Sequence, residues 1–225
     1  MANYTTINKS TEHFNTLTWT GDGGTKSFTG VGFEPSFVWS KARQSLGSIT
    51  GSHFLFDAVR GGGAEKELRS NVTGAEGSSA NQVYGYISSF DSDGFTTTAG
   101  SSNNDYFNKS SIEYVAWNWK ANGQGSSNTD GSINTTYTSA NTTAGFSICK
   151  YVGTGSNATF GHGLGVAPKV IIIKDLSASN DWAVYHESIG NTKYLELNTS
   201  DAEGTASNAW NNTSPTSSVV SIGSR

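Results

Sequence analysis

Apolar and polar residues alternate in short runs along this chain and rarely recur at the three- to four-residue spacing of an amphipathic helix. Alternation with a period of two puts successive side chains on opposite faces of a strand, so the pattern predicts β-structure. In the first part the runs are residues 16–20, 37–41, 53–59 and 83–87, separated by glycine-rich turns. The clearest is 112–119. There Glu113, Val115, Trp117 and Trp119 share one face and Ile112, Tyr114, Ala116 and Asn118 the other. Rings on both faces predict a central strand. Residues 146–151, 169–174, 182–186, 193–197 and 218–222 supply further runs. Between the two groups, 121–144 is poor in apolar residues and rich in Gly, Ser, Asn and Thr, the composition of a flexible linker.

The two parts repeat one pattern. Thr20-Gly21-Asp22-Gly23, followed by Gly32-Phe33-Glu34-Pro35-Ser36-Phe37-Val38-Trp39-Ser40-Lys41, recurs as Val152-Gly153-Thr154-Gly155 and Gly165-Val166-Ala167-Pro168-Lys169-Val170-Ile171-Ile172-Ile173-Lys174. Leu55-Phe56-Asp57-Ala58-Val59-Arg60-Gly61 matches Val184-Tyr185-His186-Glu187-Ser188-Ile189-Gly190. Leu68-Arg69-Ser70-Asn71 matches Leu195-Glu196-Leu197-Asn198. Ala75-Glu76-Gly77 and Asn81 recur at one shared offset as Ala202-Glu203-Gly204 and Asn208, which argues for duplication. In this register 218–222 falls near the strand that starts at Gly94 and Phe95, and 112–119 has no second counterpart.

The expected architecture is therefore all-β, with two tandem β-sandwich, jelly-roll-like modules, the second incomplete at its C-terminus. The expected divisions are an N-terminal attachment segment at 1–15, a first module at 16–120, the linker at 121–144 and a truncated second module at 145–225. A module lacking its central strand exposes sheet edges, so either the chain continues or a neighbouring subunit supplies the strand.

Composition narrows the function classes. Charged residues make up only 14%, and the surface falls to Ser, Thr, Asn and 27 glycines. A net charge of −4 with scattered Lys and Arg offers no basic stripe for phosphates, which argues against nucleic acid as a partner. The amino terminus lacks the basic and apolar regions of a secretory signal, and no apolar run is long enough to insert in a membrane.

Candidate chemistry is sparse. Cys149 is the only cysteine, and its alternating surroundings read as a half-buried strand position. Gly161-His162-Gly163-Leu164-Gly165 has the glycine density of a phosphate loop but leads into a strand, not a helix. Asp91-Ser92-Asp93-Gly94 resembles the opening of a calcium loop without its later ligands and reads as a turn. His13, His53, His162 and His186 have no metal-binding spacing. Asp57, Glu76, Glu113, Glu187 and Glu203 are the carboxylates that a glycosidase could use, but sequence alone does not pair them. No catalytic residue, metal ligand or cofactor is expected. Trp182 and Trp210, beside Asn and Asp in expected loops, are the candidates for exposed, ligand-stacking rings.

Phe33-Glu34-Pro35-Ser36-Phe37-Val38-Trp39, Leu55 to Gly61, Leu68 to Asn71 and Ala116-Trp117-Asn118-Trp119 resemble a family of virion structural proteins of cyanophages and other marine phages. Gly161 to Pro168 and Asp181-Trp182-Ala183-Val184-Tyr185-His186 are similar to the repeated module of the same proteins. The resemblance implies a non-enzymatic tail-fibre protein located in the virion and active in host attachment. Implied partners are other phage tail or virion proteins and a host cell-surface receptor, with a glycan as one candidate. Phage-fibre analogy adds a homo-oligomer, a trimer. The rival readings are a capsid decoration or head-fibre protein and a polysaccharide depolymerase.

Overall fold

The computed structural model describes residues 7–44 and 51–224. The first half contains β1 (Phe14–Thr20), β2 (Lys26–Phe28), β3 (Phe37–Ala42), β4 (Phe54–Asp57) and β5 (Leu68–Arg69). These are followed by a one-turn helix α1 (Asn81–Tyr84), then β6 (Tyr86–Asp91), β7 (Gly94–Thr98) and β8 (Glu113–Trp119). The second half contains β9 (Tyr137–Asn141), β10 (Phe146–Lys150), β11 (Ala158–Gly161) and β12 (Val170–Ile173). It ends with β13 (Ala183–His186), β14 (Lys193–Glu196), β15 (Gly204–Thr205) and β16 (Val219–Ile222). The protein is all-β, and every pairing between these strands is antiparallel.

In the first half, five strands form one sheet in the order β1-β8-β3-β4-β5, and β2-β7-β6 form a second. As its alternation required, β8 is central, hydrogen-bonded to β1 on one side and β3 on the other. Its Tyr114, Ala116 and Asn118 are buried. Val38, Phe54, Phe56 and Ala116 of the larger sheet meet Phe28, Ile87 and Phe95 of the smaller one in a single core, with Tyr106 and Phe107 closing it. Each such aromatic or aliphatic side chain removed from water contributes about 1.5–3 kcal/mol. The β6–β7 hairpin turns through Ser92-Asp93, and a Cβ at Gly94 would stand 1.9 Å from the Phe28 carbonyl oxygen. Gly94→Ala should therefore force the two strands apart and cost about 1–3 kcal/mol, read by chemical denaturation. A neutral substitution would show that β2 can move away freely.

The second half repeats several pairings of the first in register. Phe37 pairs with Asp57, and their counterparts Val170 and His186 pair in turn. Leu55 pairs with Leu68, and Val184 with Leu195. The Ala58 N–H donates to Ser36 and the Glu187 N–H to Lys169. The Asn71 side chain accepts from the His53 N–H, and Asn198 from the Trp182 N–H. β16 pairs with β11 as β7 pairs with β2. Among the described residues, no strand of the second half occupies the place of β8.

Three segments differ from expectation. Residues 83–84 close α1, so the strand read at 83–87 starts only at Tyr86. Within 121–144, expected to be a flexible linker, lies β9. It is fastened by the Asn122 N–H on Ser139 Oγ and by reciprocal bonds between Ser126 and Thr138. Hydroxyl-rich residues join a ladder as readily as apolar ones when backbone partners are near, which composition does not reveal. Of the attachment segment at 1–15, residues 1–6 lie outside the described residues. Phe14 and Asn15 already belong to β1, and the His13 carbonyl accepts from Lys120.

Candidate functional site

The two halves meet across the outer face of the larger sheet. Leu55, Leu68 and Trp182 are buried together, with Phe37, Trp39, Leu176 and Leu197 packed around them. The Trp182 indole donates to the Arg69 and Val72 carbonyls, each at 3.1 Å, and the Glu76 N–H donates to Leu176. At the edge of this seam lies an open cleft of about 490 Å³ lined by Trp39, His53, Ser70 and Asn71 of the first half and Leu197, Asn198, Thr199 and Ser200 of the second. Asn71 and Asn198, equivalent residues of the repeat, thus face one cleft.

His53 sits at its floor. The Trp39 indole donates to Nδ1 at 2.9 Å, and the Lys41 ammonium lies 3.0 Å from Nε2. An indole N–H and an ammonium can only donate and a neutral imidazole has one acceptor nitrogen, so the two compete for it. Burial, then the Lys41 charge, holds the His53 pKa below its ordinary value. The cleft accordingly offers amides, hydroxyls and a partly buried indole to a polar ligand. The histidine is already bonded on one nitrogen and opposed by a cation on the other.

The expected ligand-stacking rings are not exposed. Trp182 is 5% and Trp210 2% accessible. Trp182 fills the seam, and Trp210 donates to the Lys193 carbonyl with its ring 5.6 Å from Tyr185. Trp182 is held inward by a distant residue, its N–H donating to the Asn198 side chain, while its neighbour Asp181 accepts from the Asn198 amide. Trp39 is the ring that reaches the cleft.

The five carboxylates are each tied to a cation. Asp57 and Glu76 converge on Arg60: Nε meets Asp57 Oδ2 at 2.6 Å and Nη1 meets Glu76 Oε1 at 3.1 Å. Glu113 pairs with Arg43, Glu187 with Lys169 and Glu203 with Lys193. Asp57 is opposed to His186 in the repeat, and Arg60 to Ile189, so the buried clamp belongs to the first half alone. Glu67, not singled out from sequence, is fully buried, and desolvation raises its pKa.

His162 is buried, accepting at Nδ1 from the Leu164 N–H and facing the Thr216 carbonyl with Nε2 at 3.2 Å. It therefore shapes its glycine loop from within. Burial depresses its pKa as well. The unfolded chain thus takes up protons on His53 and His162 before the native state does. Stability from these two groups is complete above the ordinary histidine value near 6.5 and is lost as pH falls through it toward the lower folded values. Melting temperature is expected to drop on acidification across this window, with a shallower slope in His162→Gln. An unchanged slope in both His162→Gln and His53→Gln would reject the assignment.

Asp93 accepts from the Gly30 and Gly32 N–H groups at 3.0 and 2.6 Å, fastening its turn to the chain after β2. Cys149 is half-buried in β10, and burial pushes its thiol pKa up. Among the described residues no three of His, Cys, Asp and Glu gather as metal ligands, and no helix is long and apolar enough to cross a membrane.

Fold and cleft together define an all-β protein of antiparallel sheets with an open cleft, lined by amides, hydroxyls and an indole, where its two halves meet. Residues 9–225 match a family model described as a domain of unknown function, DUF7483, and the chain belongs to that family. No curated protein and no solved structure matches it.

Proposed function

We infer that this chain is a non-catalytic structural module of a bacteriophage tail fibre, held to other tail proteins and engaged in host adhesion. The observation that carries the reading is the repeat locked to its neighbour by a buried apolar seam. Stacking of this kind builds length from one folding unit and transmits load between units. The sequence resemblance to marine-phage virion proteins points the same way. In this reading the seam cleft, with Trp39 and the paired Asn71 and Asn198, contacts a glycan of the host surface weakly. A trimeric fibre would multiply such contacts through effective concentration.

Gold-labelled antibodies raised against the purified chain test the location on intact particles. Label along the tail is expected. Label over the capsid lattice would replace the reading with decoration, and unlabelled particles would overturn it. Release of reducing ends from host polysaccharide by the purified chain would instead favour a depolymerase.

A further inference from the structure

Four large apolar side chains of the second half are strongly exposed: Val152 at 75%, Val166 at 60%, Val170 at 50% and Ile172 at 46%. Their counterparts in the repeat are Thr20, Phe33, Phe37 and Trp39. Each counterpart is met by β8 or the residue after it. Thr20 pairs with Glu113, Phe37 with Trp119 and Trp39 with Trp117, while the Lys120 ammonium lies 6.0 Å from the Phe33 ring centre. The exposed side chains therefore mark one absent neighbour.

Backbone polarity identifies the same place. In an antiparallel pair, alternate residues direct both their N–H and C=O groups to one neighbouring strand. The Arg43 N–H to Glu113 bond, continued in register, aims Phe37, Trp39 and Lys41 at β8. The Glu187 N–H to Lys169 bond, also continued in register, aims Lys169, Ile171 and Ile173 at β13. Val170, Ile172 and Lys174, equivalents of Phe37, Trp39 and Lys41, are left on the open edge.

On the other side, bonds from Gly21 to Ile112 and from Lys120 to His13 aim Asn15 and Leu17 at β8. The reciprocal Ser126–Thr138 bonds turn Thr138 away from β10, so β9 meets β10 through Phe146, Ile148 and Lys150. Ser147 and Cys149, equivalents of Asn15 and Leu17, are left on the opposite edge. Both open edges are those that β8 fills in the first half.

We propose that the position between β10 and β12 is a docking groove for one extended strand of β8-like pattern. The strand runs antiparallel to both edges. Its outward residues are large and apolar, covering Val170 and Ile172 as Trp119 and Trp117 cover Phe37 and Trp39. The inward residue at the place of Ala116 is small and lies between Cys149 and Ile173, as Ala116 lies between Leu17 and Ser40. This chain's own β8 is already bonded between β1 and β3, so a different strand of the same pattern fills the groove. Main-chain bonds to two edges supply affinity, and the alternation supplies register.

The test adds a peptide with the sequence of residues 112–120 to the full chain and follows amide hydrogen exchange. Amides of Ser147, Cys149, Val170 and Ile172 are expected to slow by about tenfold or more, equivalent to about 1.4 kcal/mol of local stabilisation. A peptide carrying Ala116→Pro should leave them unchanged. With oxidised glutathione added as the oxidant, a peptide carrying Ala116→Cys should form a disulfide with Cys149, two glutathione thiols being released, whereas Val115→Cys, on the other face, should not. Unchanged exchange with the unmodified peptide overturns the proposal. So does equal capture of both cysteine peptides. Protection already present without peptide, accompanied by concentration-dependent sedimentation, would mean that a second copy covers the edge and would also overturn it.

Discussion

Arg60→Met is expected to destabilise the protein by about 3–5 kcal/mol, because removing one partner of a buried ion pair strands the other. The Arg60 and Asp57 side chains are 5% and 7% accessible, and the guanidinium also donates to the Lys66 carbonyl at 2.6 Å. Asp57 binds Arg60 twice, since its other oxygen accepts the Arg60 N–H. With the cation gone, the Asp57 carboxylate and the Lys66 carbonyl lose this partner in a region that water reaches poorly, and Glu76 keeps only Lys66 at 4.0 Å. For a chain of this size the melting temperature should fall by roughly 6–20 °C. Asp57→Asn combined with Arg60→Met should recover part of the loss, since the stranded charge is removed with its partner. A loss under about 1 kcal/mol in the single variant would show that solvent enters the clamp freely.

The second large effect is expected at the seam. Trp182→Ala deletes the ring that fills the contact between the halves and leaves the Arg69 and Val72 carbonyls without their indole donor. A cost of about 3–5 kcal/mol follows from the cavity and the lost bonds. Leu55→Ala touches the same cluster, so a double-mutant cycle between the two should return a coupling of about 0.5–3 kcal/mol. Additive losses would mean that Trp182 stabilises the second half by itself and does not join it to the first.

Much of the architecture was legible because it depends on local pattern and on repetition. Short alternating or β-branched and aromatic runs marked β1, β3, β4, β8, β10, β12, β13, β14 and β16, and rings on both faces marked β8 as central. The alignment of the two parts holds in the structure, where Val170 pairs with His186 and Val184 with Leu195 as their counterparts Phe37 with Asp57 and Leu55 with Leu68 do, because equivalent residues in a duplicated sheet keep one register. The short strands β2, β5, β11 and β15 escaped notice, since two to four residues carry too little alternation. β9 was hidden by a composition that resembles a linker.

The site was less legible. The repeat had already aligned Asn71 with Asn198, which was the available signal, but the convergence of both on one cleft depends on how the halves stack. His53 was dismissed as a metal ligand for want of a partner nearby in sequence. Its real neighbours, Trp39 and Lys41, reach it across the β3–β4 pairing. Trp182 and Trp210 were misjudged because polar flanking residues say that a turn is near and not which way its ring points.

What the sequence determined by itself was the all-β character, the duplicated unit and its register, since these arise from alternation and from matching of one segment to another. Tertiary structure alone decided which carboxylates share a cation, which rings are buried and which edges stay open. Those outcomes depend on distances between residues far apart in the chain, and burial and charge pairing are set by those distances.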